Sequence, residues 1–313
     1  MRVKLGLVCA LMLLAACQRS NQRVIAVIPK ATSHLFWIAV ENGARAAALD
    51  SKVEMLWNGP PSETDYARQI QIVDSMIARR VDGIVVAATE RQALVGPISR
   101  AMAAGIPVTV FDSGIEGDNY TSFVATNNYE GGAIAAREMV RLAGATGKVA
   151  LLMNAPGSTS TMDRERGFEE TLAKEAPGLV IAARQYGLSD RGKARSAAEN
   201  MLTAHPDLRG MFCSSEPSAV GGALAVKARN LSGKLQLVTF DSSADLVEEL
   251  KSGTIQAMVV QDPFRMGYDA VKSVVDKIAG KAVAKRIDLS ARLVRRDDLD
   301  KPDVIKLLTP EKK

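Results

Sequence analysis

From Arg23 onward, short runs of β-branched and apolar residues alternate with amphipathic stretches of helical length, and no long polar linker breaks the rhythm. In the first part this pattern predicts strands at 24–29, 53–57, 83–87, 107–111 and 122–126, with helices between them at about 33–49, 63–79, 92–104 and 129–142. The second part predicts strands at 148–153, 180–186, 210–213, 235–240 and 255–260, with helices at about 160–174, 192–204, 218–228, 244–252 and 265–279. Continuous apolar strands separated by helices imply parallel sheets covered on both faces. Ten such units exceed one ordinary open sheet, so two lobes are expected.

A weak internal repeat supports the division. VDGIVVAAT leads in 29 residues from Gly83 to Asp112 of FDSG, and LRGMFCSSE leads in 31 residues from Gly210 to Asp241 of FDSS. Both aspartates follow a strand, and open parallel sheets bind ligands beyond the carboxyl ends of their strands. Each lobe then offers one carboxylate at its functional edge. Read singly, each Asp could equally cap a helix or turn the chain.

The amino terminus belongs to another class. Arg2 and Lys4 precede about twelve apolar residues, Leu5 to Ala16, and LAAC closes the run at Cys17. Twelve is short of the roughly 20 residues that span a bilayer, so the segment reads as an export signal. LAAC resembles the lipobox of bacterial lipoproteins, which implies acylation of Cys17, with residues 1–16 the signal and 17–23 a lipid-anchored tether. The protein is then expected in the periplasm or another extracytoplasmic space, held to a bacterial membrane. Losing Arg2 and Lys4 takes the formal charge from +5 to about +3, without the long basic runs that would mark a nucleic-acid partner. Cys213, in the apolar run GMFCSS, would be left without a disulfide partner and reads as a small buried side chain.

Enzyme readings lack parts. His34 and His205 lie near no Cys or acidic cluster with metal spacing, and neither G-x-G-x-x-G nor G-x-S-x-G occurs. GLSDRGKA, at 187–194, opens a helix as a phosphate loop would, but Ala194 lacks the hydroxyl that holds magnesium. No catalytic residue, metal or cofactor is expected. What remains is polar and aromatic residues at strand-to-helix junctions, where hydroxyl-rich ligands find paired donors and acceptors and flat apolar rings. Phe36 and Trp37 stand together just past the first strand in a chain with 4% aromatics; the alternative is a hydrophobic staple. His34 reads as a loop or capping residue. Arg164 sits near a helix start, where the dipole disfavours a cation, and Gln261 ends the last strand of the second part.

At these residues the chain resembles the periplasmic sugar-binding proteins of the ribose-binding type, whose fold is shared by the ligand-binding part of lac-repressor-like regulators. The resemblance runs from about Val24 to the late 280s. It rests on SHLFWIAVENGAR, VDGIVVAAT, GIPVTVFDS, TNNYEGG, GSTSTMDRERGF, LTAHPDLRGMFCSSE, VTFDSS and VVQDP in that order. It implies an α/β type I periplasmic binding protein, with two Rossmann-like lobes of parallel strands joined by a three-crossover hinge near Thr126, Asp262 and Leu289. Lobe one would be 24–126 plus 262–289, and lobe two 127–261 plus 290–313.

The same resemblance implies that Phe36 and Trp37 sandwich a sugar ring, Asp112 and Asp241 take hydroxyls, Arg164 bridges the ring or anomeric oxygen, and Gln261 closes the cleft from the hinge. The chain departs from the ribose pattern in four places. Ser113 stands where an Arg follows the first aspartate, Ala87 where an Asn is expected, Ser215 and Glu216 where an Asn-Asp pair is expected, and Ser189 where a stacking aromatic is expected. Ser113, Ser215 and Glu216 join the candidate site on that ground. Counting Asp112, Glu216 and Asp241 against Arg164 gives a net negative cleft, suited to a neutral sugar, a polyol or an amino sugar. The expected protein is a monomer that delivers this carbohydrate to the permease of an ABC transporter. A receptor presenting ligand to a membrane kinase or chemoreceptor would use the same cleft. A regulator's effector domain lacks its helix-turn-helix segment, and an exported hydrolase lacks its nucleophile-base pair.

Overall fold

The computed structural model describes residues 22–309; the export segment and Cys17 lie outside the described residues, as do the last residues of the expected lobe two. Numbered along the chain, the strands are β1 (Val24–Ile28), β2 (Glu54–Trp57), β3 (Gly83–Val86), β4 (Val108–Phe111), β5 (Ser122–Thr126), β6 (Thr146–Met153), β7 (Gly178–Tyr186), β8 (Leu208–Cys213), β9 (Gln236–Phe240), β10 (Ala257–Val260), β11 (Arg286–Leu289) and β12 (Arg292–Arg295). The helices are α1 (Leu35–Ser51), α2 (Tyr66–Ala78), α3 (Val95–Ala103), α4 (Asn128–Ala143), α5 (Thr159–Glu175), α6 (Arg191–Ala204), α7 (Glu216–Ala228), α8 (Ala244–Ser252), α9 (Pro263–Ile278) and α10 (Pro302–Leu308).

The strands form two six-stranded sheets of matching order, β11-β5-β4-β3-β1-β2 and β12-β10-β9-β8-β6-β7. All pairings are parallel except β10 with β12. The chain crosses between the sheets three times: between β5 and β6, between β10 and β11, and between β11 and β12. The pattern-based reading missed β11 and β12. RIDL and RLVR are short and charged because each covers the outer edge of a sheet, where only one neighbour is available.

Alternation along each strand builds a core layer on either side of its sheet. Ile25 and Val27 of β1 face Val40 and Ala44 of α1 and Val271 and Val274 of α9, while Ala26 and Ile28 face Ile72 and Val73 of α2 and Ile98 of α3. In the second lobe Val149 and Leu151 of β6 pack with Met139 of α4 and Phe168 of α5, and Ala150 and Leu152 with α6 and α7. Carboxylate and amide caps fix several helix starts at the same edge. Asp65, Asn127, Asp190 and Asp262 each accept a hydrogen bond from the backbone N–H three residues on.

Each lobe also contains a helix pair that crosses backbone to backbone. A Cβ at Gly132 of α4 would collide with the Arg164 carbonyl, and one at Gly167 of α5 with the Tyr129 carbonyl. In the first lobe Gly43 and Gly267 perform the same service between α1 and α9. The backbone carbonyls cannot rotate away without breaking helical hydrogen bonds, so overpacking here costs about 2–3 kcal/mol. Gly132→Ala should lower the urea midpoint accordingly, while Gly96→Ala, on an exposed face of α3 near only the flexible end of Arg100, should be neutral or stabilise by up to about 1 kcal/mol. Equal effects of the two would show that the crossing is not held by close contact.

Candidate functional site

Because the strands of each sheet are parallel, the residues that follow them gather at one edge, and the two edges face each other. Asp112 follows β4 and Asp241 follows β9. Both take the left-handed conformation, with φ of 54° and 71°, and both donate their N–H to the adjoining strand, Asp112 to the Val124 carbonyl and Asp241 to the Val259 carbonyl, each at 2.9 Å. The positive φ turns each carboxylate out of the strand direction into the space between the lobes. Asp tolerates this region better than most side chains.

On the first lobe, Lys30 lies just past β1 and is buried. Its ammonium is 3.3 Å from Asp112 Oδ2 and 3.7 Å from Glu63 Oε2. It also donates across the cleft to Ser158 Oγ at 3.1 Å and Ser160 Oγ at 3.3 Å, at the start of α5. Burial alone would lower the Lys30 pKa, but Asp112 and Glu63 outweigh it and hold the ammonium above its ordinary value. Glu63 accepts from Trp37 Nε1 at 2.9 Å, lies 3.5 Å from His34 Nδ1, and accepts from Asn154 Nδ2 of the other lobe at 3.3 Å. Burial would raise its carboxyl, yet Lys30 and these hydrogen bonds hold it well below the usual range. For Asp112 burial wins over Lys30 and Arg164, and the pKa rises.

On the second lobe, Arg164 is anchored by Nε to Asn128 Oδ1 at 2.8 Å and by Nη1 to the Ser214 carbonyl at 3.0 Å, with its guanidinium 3.8 Å from the centre of the Phe240 ring. Asp241 Oδ2 lies 3.6 Å from Arg164 and accepts from the Glu216 N–H at 3.0 Å, and its Oδ1 accepts from Gln261 Nε2 at 2.6 Å. Gln261 Oε1 accepts in turn from Thr126 Oγ1 at 2.6 Å, so one chain of hydrogen bonds runs from the end of β5 to the end of β9 through the crossover. Ser215 Oγ donates to Asn154 Oδ1 at 3.0 Å. Glu216 pairs through Oε1 with Arg191, and burial raises its pKa.

Eight of the nine candidate ligand residues, Phe36, Trp37, Asp112, Arg164, Ser215, Glu216, Asp241 and Gln261, line one cavity with Lys30, His34, Glu63, Asn154, Ser160, Thr161 and Pro217. Side chains meet across it and leave about 20 Å³, room for about one water. Ser113 is not in its wall: its Oγ accepts from the Ser160 N–H at 3.3 Å, tying the lobes together beside the cavity. Two buried acceptors, Asp112 Oδ2 and Glu216 Oε2, have no hydrogen-bond partner among the described residues.

The geometry corrects several expectations. Phe36 and Trp37 meet edge to face, 4.9 Å apart at 86°, and Trp37 is 1% exposed and packs against Phe111; two rings in mutual contact cannot flank a sugar from both sides. His34 occupies the N-cap position of α1 without a side-chain cap and turns to Glu63 instead. The net negative charge is smaller than the candidate residues alone imply, because Lys30 lines the cavity and Arg191 pairs with Glu216, against one further acid, Glu63. Asp190 Oδ1 caps α6 through the Lys193 N–H at 2.8 Å, filling the place a phosphate would take in GLSDRGKA. Lys30 and Asn154 stand just past the carboxyl ends of β1 and β6, as the two aspartates do past theirs, but nothing else in the sequence marks them, and Glu63 lies six residues beyond β2 in the loop before α2.

A family model described as "Periplasmic binding protein domain" matches residues 25–282. The chain is 30% identical over 267 residues to the D-allose-binding periplasmic protein of Escherichia coli (strain K12), covering 82% of this chain and 86% of that protein. It is 28% identical over 259 residues to the ribose import binding protein RbsB of Bacillus subtilis (strain 168), covering 82% of each. Among solved structures, an ABC transporter solute binding protein from Agrobacterium vitis with bound D-fucose superposes with a TM-score of 0.89 at 34% identity, over 91% of this chain and 99% of that one.

Beside the cavity, Glu165 Oε1 accepts from the Asn154 N–H at 3.1 Å and from Ser214 Oγ at 2.8 Å, and burial pushes its carboxyl up to about 7. The folded state therefore keeps a proton that the unfolded chain releases near 4.5. Its stabilising effect is complete below that pH and is lost as pH rises through about 7. Urea melts should show the wild type weakening by about 2–3 kcal/mol between pH 5 and 8 relative to Glu165→Gln, which stays neutral; parallel pH profiles would place the proton elsewhere.

Proposed function

We propose, on the premise that this chain belongs to the periplasmic binding protein family, that it is the extracytoplasmic receptor of an ABC sugar importer and captures a neutral monosaccharide or polyol between its lobes. The observation that carries this reading is the polar cavity walled by both strand edges, with one buried carboxylate oxygen from each lobe that no hydrogen bond satisfies: Asp112 Oδ2, in ion-pair contact with Lys30, and Glu216 Oε2. Hydroxyl groups donate to such acceptors and accept from Lys30 and Arg164. Proteins similar to this one are named for ribose import, D-allose binding and ABC transport, which favours import over presentation to a sensor. A neutral ligand fits best. Lys30, Arg164 and Arg191 already face Glu63, Asp112, Glu216 and Asp241, so an added ammonium would meet Lys30 and an added carboxylate would meet the acids.

The lobes we assign are 24–126 plus 262–289 and 127–261 plus 290–313. Supporting this are the membership of β1–β5 and β11 in one sheet and β6–β10 and β12 in the other. Residues 1–16 serve as the signal and Cys17 as the lipid anchor, which keeps the receptor near its permease; the support is the LAAC sequence after its apolar run. A monomer suffices, since one chain supplies both walls.

Closure supplies the mechanism. In the closed form Lys30 bonds Ser158 and Ser160, Asn154 bonds Glu63, and Thr159 Oγ1 donates to the Gly114 carbonyl at 2.9 Å. A sugar entering between the lobes takes over the first three of these contacts with its own hydroxyls, and it can satisfy both edges only when they are together. Shifting an equilibrium from 1:99 to 99:1 needs about 5.5 kcal/mol of differential binding, within the roughly 8 kcal/mol of a micromolar ligand.

A thermal-shift panel of D-ribose, D-allose, D-arabinose, D-fucose, common hexoses and polyols tests the assignment. At 100 times its dissociation constant the ligand adds about 2.7 kcal/mol, a rise of roughly 5–10 °C. Asp112→Asn should weaken binding by about 1.5–3 kcal/mol while leaving a folded protein. No shift with any compound of the panel would end the sugar reading.

A further inference from the structure

A second space adjoins the cavity and shares three of its walls, Phe36, Asp241 and Gln261. It is far larger, about 200 Å³ against about 20 Å³. Most of its lining is apolar, with Leu35 and Ile38 from the first turns of α1, Pro263 at the crossover, and Leu307 and Leu308 from α10; Asn42, Ser242 and Ser243 add polar groups to the same wall. Leu35 and Ile38 are 45% and 44% exposed, unusual for two large aliphatic side chains at the mouth of a polar site.

We propose that this space is a subsite for an apolar aglycone, so that the preferred ligand is a glycoside and not a free sugar. This rests on the sugar reading of the inner cavity and names its substrate class. Orientation follows from hydrogen-bond chemistry. The ring oxygen and the glycosidic oxygen can only accept, and Arg164 can only donate; with Nε and Nη1 held by Asn128 and Ser214, Nη2 remains to serve them. Arg164 is 3.6 Å from Asp241, one of the shared walls. The anomeric carbon is thereby set beside the wall between the two spaces, and its substituent points toward Ile38 and Leu307. The polar ring stays among the carboxylates and Lys30, and the apolar group is removed from water by side chains of α1 and α10.

Calorimetric titration of the full chain with D-allose, D-ribose, D-arabinose and D-fucose, and with the methyl and phenyl glycosides of each in both anomers, tests this. For at least one sugar a phenyl glycoside should bind about tenfold or more tighter than the free sugar, with the methyl glycoside gaining much less. Ile38→Asn and Leu307→Asn, both outside the inner cavity, should each remove the phenyl gain and leave affinity for the free sugar unchanged. Free sugars binding as well as every phenyl glycoside would overturn the subsite and leave the sugar receptor standing, and a gain that survives both substitutions would overturn it too. If neither sugars nor glycosides bind, the sugar reading itself fails.

Discussion

Parallel pairing is the constraint from which the rest of this molecule follows. In each sheet β1–β5 and β6–β10 run the same way, so every residue that ends a strand arrives at one rim. The helices that return the chain cover both faces, which leaves that rim as the place where polar side chains can collect without interrupting a core. Two such rims set face to face make a polar chamber between two apolar cores. The backbone-to-backbone crossing of α4 on α5 then places Arg164, because the carbonyl that Gly132 admits so closely belongs to Arg164 itself.

Charge in the chamber is arranged to need both lobes. Lys30 stays an ammonium despite its burial because Asp112 and Glu63 surround it on its own lobe, while its remaining hydrogens reach Ser158 and Ser160 on the other. The cation beside Asp112 comes from the end of β1, and Ser113, the residue after that aspartate, uses its hydroxyl to accept from the second lobe. Arg164 and Asp241 form the corresponding pair opposite, buttressed by Phe240 and Asn128.

Much of this could be read from the chain before any coordinates. Strand periodicity and the matched FDS segments lead to the two sheets, the opposed aspartates and Gln261, because those signals are local: an apolar run, its end, and the polar residue after it; Arg164 stands out by another local signal, a cation near a helix start. What stayed hidden depends on partners distant in sequence. Lys30 is unremarkable until Asp112 and Ser158 are brought beside it, and Glu63 looks like one more acidic loop residue until Trp37, His34 and Asn154 converge on it. β11 and β12 escaped because edge strands carry few apolar residues. The orientation of Phe36 against Trp37 is set by three-dimensional packing with Phe111, which adjacency in sequence does not encode.

The left-handed backbone at Asp112 and Asp241 limits how such a receptor can change its taste over evolutionary time. Only glycine, asparagine and aspartate sit there with little strain, so few exchanges at these two positions leave the rim unstrained. Exchange is easier at neighbours with unconstrained backbones, such as Lys30, Glu63 and Asn154. The two aspartates are thereby fixed points of the rim, around which side chains can be replaced residue by residue without rebuilding the sheets.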